Sequence, residues 1–112
     1  MIKVVDAKTL ELRPGGTVKF EGAPNGATVS FFHTKNAPGG GAQLHVHPYE
    51  ETWLVIAGRV RFGVGDEEYE TEAGHVVVAP ANVPHKFTNI GDHELQMVCI
   101  HPAASMQQQD LE

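Results

Sequence analysis

Apolar positions along this chain recur with a period of two. Val18 and Phe20 alternate with Thr17 and Lys19, and Val60, Phe62 and Val64 alternate with Arg59, Arg61 and Gly63. Leu95, Met97 and Cys99 alternate with Gln96 and Val98, although Ile100 blurs which face is inward. The stretch from Ala27 to Thr34 is half apolar, with Val29, Phe31 and Phe32. Side chains two apart on an extended chain leave the same side, so these runs predict strands with one buried face. No run of ten or more residues has apolar positions three and four apart with caps at both ends. Helix is therefore confined to a turn near either terminus.

Turn signals separate the runs at short intervals: Pro14-Gly15-Gly16, Pro24-Asn25-Gly26, Pro38 to Gly41, Gly65-Asp66, Ala73-Gly74 and Gly91-Asp92. Short strands punctuated in this way predict an all-β sandwich or barrel. Gly65-Asp66, between Arg61-Phe62 and Tyr69, reads as a hairpin turn. The 112 residues allow one domain and no second core, and no repeat or linker divides them. The tail from about residue 103, with Gln107-Gln108-Gln109, is polar and expected to be loosely held.

Charge and cysteine usage narrow the partners. The net charge is −6 with histidines neutral, and an acidic surface repels phosphate backbones and anionic lipid. Neither nucleic acid nor membrane is the expected partner; a small molecule is. Cys99 is the single cysteine, so it forms no internal disulfide and builds no multi-thiolate zinc site. No signal peptide and no membrane-length apolar stretch is visible, and the expected location is cytoplasmic.

Seven histidines are a surplus in so short a chain. His45 and His47 are two apart and share one face of a strand. Pro48-Tyr49-Glu50 interrupts that strand, and Glu51 returns to the same side if the chain bends at Pro48. Val83-Pro84-His85 opens another strand after the turn Pro80-Ala81-Asn82. Imidazole nitrogens and a carboxylate suit iron, manganese, nickel, copper or zinc.

These residues fall into two glycine-bounded blocks. The first, Gly39-x5-His45-x-His47-x3-Glu51-x6-Gly58, resembles the first cupin motif at every defined position. The second, Gly74-x5-Pro80-x-Asn82-x2-His85-x3-Asn89, resembles the second cupin motif, with Asn82 where the pattern has glycine. Asparagine tolerates a left-handed backbone better than other non-glycine residues, so the turn is expected to survive. His75 stands where an acidic residue often follows the block's first glycine. The resemblance covers about half the chain and implies an antiparallel jelly-roll β-barrel of six to eleven strands. It further implies that His45, His47, Glu51 and His85 converge inside it on one divalent ion, with Fe, Mn, Ni or Zn as candidates. It also implies a homodimer.

The remaining residues receive plainer readings. Glu50 faces away from Glu51 on an extended chain and is expected in solvent. Trp53 and Phe87 are expected to fill core or pocket wall, Tyr49 to line the mouth, Asn89 to make turn hydrogen bonds, and Cys99 to be a buried small residue. His33, His93 and His101 lie outside both blocks and are read as surface or strand-end residues. If the strands of His33 and His101 line the cavity, each becomes a candidate acid–base group. The function that follows is a metal-binding cupin: a mononuclear metalloenzyme acting on a small molecule, of dioxygenase, isomerase or lyase type. The alternative is a non-catalytic small-molecule-binding or sensing module. A purely structural, storage-type barrel ranks third.

Overall fold

The computed structural model describes residues 1–112. The alternating runs form ten strands: β1 Val18–Phe20, β2 Ser30–Asn36, β3 Gly41–Val46, β4 Glu51–Ala57, β5 Arg59–Val64, β6 Glu67–Glu72, β7 Val76–Ala79, β8 His85–Asn89, β9 Leu95–His101 and β10 Gln109–Asp110. Helix is limited to two single 3₁₀ turns, Ala7–Leu10 and Ala23–Asn25, both in the N-terminal quarter. All strand pairings are antiparallel and make two five-stranded sheets, ordered β1-β2-β9-β4-β7 and β10-β3-β8-β5-β6. The chain is an all-β jelly-roll barrel whose inner faces meet across one core.

The central strands each contribute one parity to that core. Trp53 and Val55 of β4, Val60 and Phe62 of β5, Phe87 of β8 and Leu95, Met97 and Cys99 of β9 pack there with Ala79. Each fully buried large side chain contributes about 1.5–3 kcal/mol relative to exposure. Ile100, ambiguous in the sequence, lies half-buried between inward Cys99 and inward His101, on the outer face. The Gly65-Asp66 turn closes the β5–β6 hairpin with Val64 opposite Glu67, and Gly65 has φ 58°. At Gly41 the strands run too close for a side chain, because a Cβ would collide with the Phe87 carbonyl. The register between β3 and β8 shifts after Ala42 and resumes with His45 opposite His85. Asn82 is the one non-glycine residue with positive φ, at 63°. The left-handed turn survives its substitution, and its amide donates to the His47 carbonyl at 3.0 Å.

The C-terminal tail departs from expectation. It is not loose: Gln109 and Asp110 pair with Val46 and His45 as β10, extending the second sheet at its β3 edge. The Leu111 amide donates to the Leu44 carbonyl at 2.9 Å, and the Glu112 carboxylate accepts from the Leu44 amide at 2.9 Å. An edge strand offers a row of unpaired amides and carbonyls, and a polar segment satisfies them as well as an apolar one. Composition therefore misjudged it.

Candidate metal centre

Both sheets supply the site. His45 near the end of β3, His47 just beyond it and His85 at the start of β8 come from one sheet, and Glu51 opens β4 in the other. The Pro48-Tyr49-Glu50 bend lets the chain cross between them, with Tyr49 half-buried and Glu50 in solvent. All four side chains are buried, with 1–6 % of their surface exposed. One ligand atom from each lies within 4.8 Å of every other.

The hydrogen bonds fix how the imidazoles face. Nδ1 of His45 lies 2.7 Å from the Gln43 carbonyl, Nδ1 of His47 lies 2.7 Å from the Tyr49 carbonyl, and Nδ1 of His85 lies 2.9 Å from the Val83 carbonyl. A carbonyl only accepts, so each Nδ1 carries the proton and donates it. In a neutral ring each Nε2 is then a bare lone pair, the orientation that a metal-binding histidine requires. Those lone pairs converge on Glu51, whose Oε1 stands 2.9 Å from His47 Nε2, 3.1 Å from His85 Nε2 and 4.0 Å from His45 Nε2. Acceptors this close and this dry repel unless protons or a cation lie between them. Donors about 2.0–2.2 Å from one ion stand roughly 3–4 Å apart, so both the spacing and the chemistry of the set fit a single divalent ion.

The same geometry shifts the titrations. Burial opposes ionisation of Glu51, but the imidazoles of His101, His47 and His85 packed around it outweigh that and hold the carboxyl far below the usual range. Burial lowers His45. For His47 burial acts downward too, yet the Glu51 carboxylate and the Tyr49 carbonyl prevail, and its pKa is raised.

His101 is the strand-end residue of β9, and its strand lines the cavity, which meets the condition under which the sequence made it an acid–base candidate. It is 1 % exposed, and its Nε2 lies 3.5 Å from Glu51 Oε2. Pairing of β4 with β9 sets Thr52 opposite Ile100 and Trp53 opposite Cys99, which carries His101 alongside Glu51. Its parity with Leu95, Met97 and Cys99 was the available signal. Nδ1 of His101 lies 2.7 Å from the Tyr49 hydroxyl, which accepts from the Gln107 amide at 3.2 Å. Nε2 of His101 faces a carboxylate oxygen, which only accepts, so the ring proton belongs on Nε2 and Nδ1 accepts from the Tyr49 hydroxyl. This tautomer is opposite to that of the three neighbouring histidines, and at 3.5 Å from Glu51 Oε2 the Nε2 proton makes no hydrogen bond within the protein.

The other sequence candidates fall outside. His33 points outward and pairs with Gln96 Oε1 at 3.0 Å, so its conditional acid–base role has no basis. His93 and His75 are exposed. Trp53 is fully buried, its ring 5.3 Å from that of His85. Asn89 donates to the Asn36 and His93 carbonyls and accepts from the Gly91 amide. Cys99 is buried, and burial pushes its thiol well above the ordinary range. A cavity of about 210 Å³ opens beside His45, Glu51 and His101, with Phe87 in its wall.

Comparison with known proteins agrees with this architecture. Residues 32–101 match the Cupin domain, and the chain belongs to the cupin family. It is 32 % identical over 102 residues to the polyketide synthase CurC of Streptomyces cyaneus, covering 86 % of this chain and 66 % of that protein. Protein SchB of Streptomyces halstedii is 33 % identical over 90 residues, with 77 % and 65 % covered. Among solved structures, Bacillus subtilis oxalate decarboxylase, described for its Mn(II) centres, superposes with a TM-score of 0.81 at 22 % identity. That match covers 90 % of this chain and 29 % of the decarboxylase, so the likeness is one of fold. The chain thus spans just under two thirds of these curated relatives and less than a third of the decarboxylase. No helix is long and apolar enough to cross a membrane.

Proposed function

We propose that the chain is a mononuclear metalloenzyme acting on a small molecule, with His45, His47, Glu51 and His85 holding one divalent ion. The observation that carries this reading is the set of three imidazoles, each locked by a backbone carbonyl to present Nε2 to one buried carboxylate. Iron, manganese, nickel and zinc all suit the donor set, and the Mn(II) centres of the decarboxylase favour trying manganese first. A bound ion would supply Lewis-acid polarisation of a substrate oxygen or a site for redox chemistry.

The protein's own residues do the rest. Burial of the four ligands and the core beneath them keeps water from the reacting face. Glu51 stays ionised, enclosed by His47, His85 and His101, whose packing fixes its rotamer. His101 keeps a proton at Nε2 beside the cavity, and Tyr49 holds that tautomer in place. The group is placed for proton delivery, which the isomerase, lyase and dioxygenase readings each use.

We further propose a homodimer. The outer face of the first sheet exposes Leu54, Ile56, Val76 and Val78 by 39–60 %, an apolar patch that pairing would cover. Sedimentation should give twice the chain mass, and a monomer at high concentration would end that part of the reading. For the metal, elemental analysis of protein purified without added ions should find about one first-row metal per chain. Near-zero content, unchanged after anaerobic reconstitution with manganese and iron, would reject the metalloenzyme.

A further inference from the structure

We infer that the cavity beside His45 and Glu51 takes a flat, ring-sized molecule bearing one weakly acidic hydroxyl on an unsaturated carbon, an enol or phenol, and not a dicarboxylate. The inference rests on the metal reading above and goes beyond it by naming the substrate class from the cavity wall.

Size sets the first limit. At about 210 Å³ the cavity holds the equivalent of roughly seven waters at ~30 Å³ each, enough for a single ring with substituents. Shape sets the second. Phe32 and Phe87 line the cavity with Ala42 and Cys99 between its polar groups, and aromatic walls favour a flat apolar body.

Charge decides the class. No lysine or arginine lines the cavity; its ionisable side chains are His45, Glu51, His101 and the buried Cys99. The only strand lysine with inward parity is Lys19, opposite Phe32 in the β1–β2 register. Its Nζ stands over the Phe32 ring, 6.0 Å from the centroid, is answered by a Glu21 carboxylate oxygen at 3.8 Å, and is not itself part of the cavity lining. Lys86, Arg59 and Arg61 occupy exposed outward positions on β8 and β5. A divalent ion with three neutral imidazoles and one carboxylate leaves a single net positive charge. A ligand bringing one negative charge neutralises it. A dicarboxylate leaves an unpaired negative charge in a dry site, which is costly where no cation answers it. The Nε2–H of His101, itself 1 % exposed and without a hydrogen-bond partner in the protein, is a donor placed to meet the ligand's oxygen, and the hydroxyls of Thr17 and Thr34 lie in the same lining. The likeness in fold to oxalate decarboxylase therefore does not extend to a pocket suited to oxalate.

The test uses the full chain loaded with manganese, metal content being measured before and after each titration. Trp53 fluorescence, sensitive to events near His85, reports binding of 4-nitrophenol as the probe and of oxalate as competitor. We expect 4-nitrophenol to bind at least about tenfold more tightly than oxalate, with the metal retained. Equal or tighter binding of oxalate by protein that retains its metal overturns this inference and leaves the metal site standing. Failure to take up metal at all overturns the metal reading and this inference with it. A second arm places a cation at the mouth, where Leu12 is 64 % exposed and lines the cavity, so Leu12→Arg disturbs no core. L12R should raise oxalate affinity severalfold while L12Q does not; an unchanged oxalate affinity in L12R counts against the charge argument.

Discussion

The two ends of the barrel interior are both buried and chemically opposite. At one end Trp53, Val55, Val60, Phe62, Leu95 and Met97 are at most 1 % exposed. At the other, His45, His47, Glu51, His85 and His101 are buried almost as completely. The same strands build both: β4 turns Glu51, Trp53 and Val55 inward, and β9 turns Leu95, Met97, Cys99 and then His101 inward. Alternation thus decides what is inside, and the residue placed at each inward step decides what that end is for. The apolar end stabilises the fold. The polar end costs desolvation that well-packed apolar residues would avoid, so its retention points to chemistry rather than stability.

That contrast can be broken at either end. The largest effect is expected from Trp53→Ala, which removes a fully buried indole from the apolar end and should cost about 3–5 kcal/mol in urea denaturation. A loss below about 1 kcal/mol would show that this end is not the stabilising one. Next, Glu51→Gln keeps the shape of the polar end and removes its charge. Metal affinity should fall by about a hundredfold or more, beyond the 10–100-fold typical of outer partners, while the far-ultraviolet spectrum stays that of a barrel. Unfolding of the metal-free variant would make the ion a structural one.

Acid should separate the ends without mutation. His47 is raised above the ordinary imidazole value near 6.5, so in metal-free protein its proton stabilises the fold fully below that value, and the contribution is lost as pH rises through the raised pKa. Metal binding must displace the same proton. Affinity should therefore climb with pH through and somewhat above 6.5, measured as Kd at half-unit steps; a flat profile from pH 8 to 5 contradicts imidazole ligation. The smallest effect is Tyr49→Phe, which removes the hydroxyl joining His101 to the Gln107 amide. It should cost about 0.5–1.5 kcal/mol and leave metal content unchanged. A loss of metal would place Tyr49 closer to the ligands than its hydrogen bonds indicate.

Much of this arrangement was legible in local pattern. Parity gave the inward faces of β5 and β9, glycine and asparagine gave the turns, and the spacing of His45, His47, Glu51 and His85 picked out residues that the fold brings within 4.8 Å. What escaped depends on pairing between distant segments. His101 reaches Glu51 only because β9 lies beside β4 in one particular register, which no local window contains. Its inward parity was visible; its neighbour was not. The tail was misjudged for a related reason, since what orders Gln109 and Asp110 is an open edge some sixty residues earlier and not their own hydrophobicity.

That last strand has a practical corollary for anyone handling the protein. β10 clasps the backbone of His45 and Val46, and Gln108 stands at the rim of the cavity, whereas Met1 and Ile2 lie free in solvent. An affinity tag or fluorescent fusion belongs at the amino end. The same appendage placed directly on β10 would load the strand that pairs with His45, the first of the four proposed ligands.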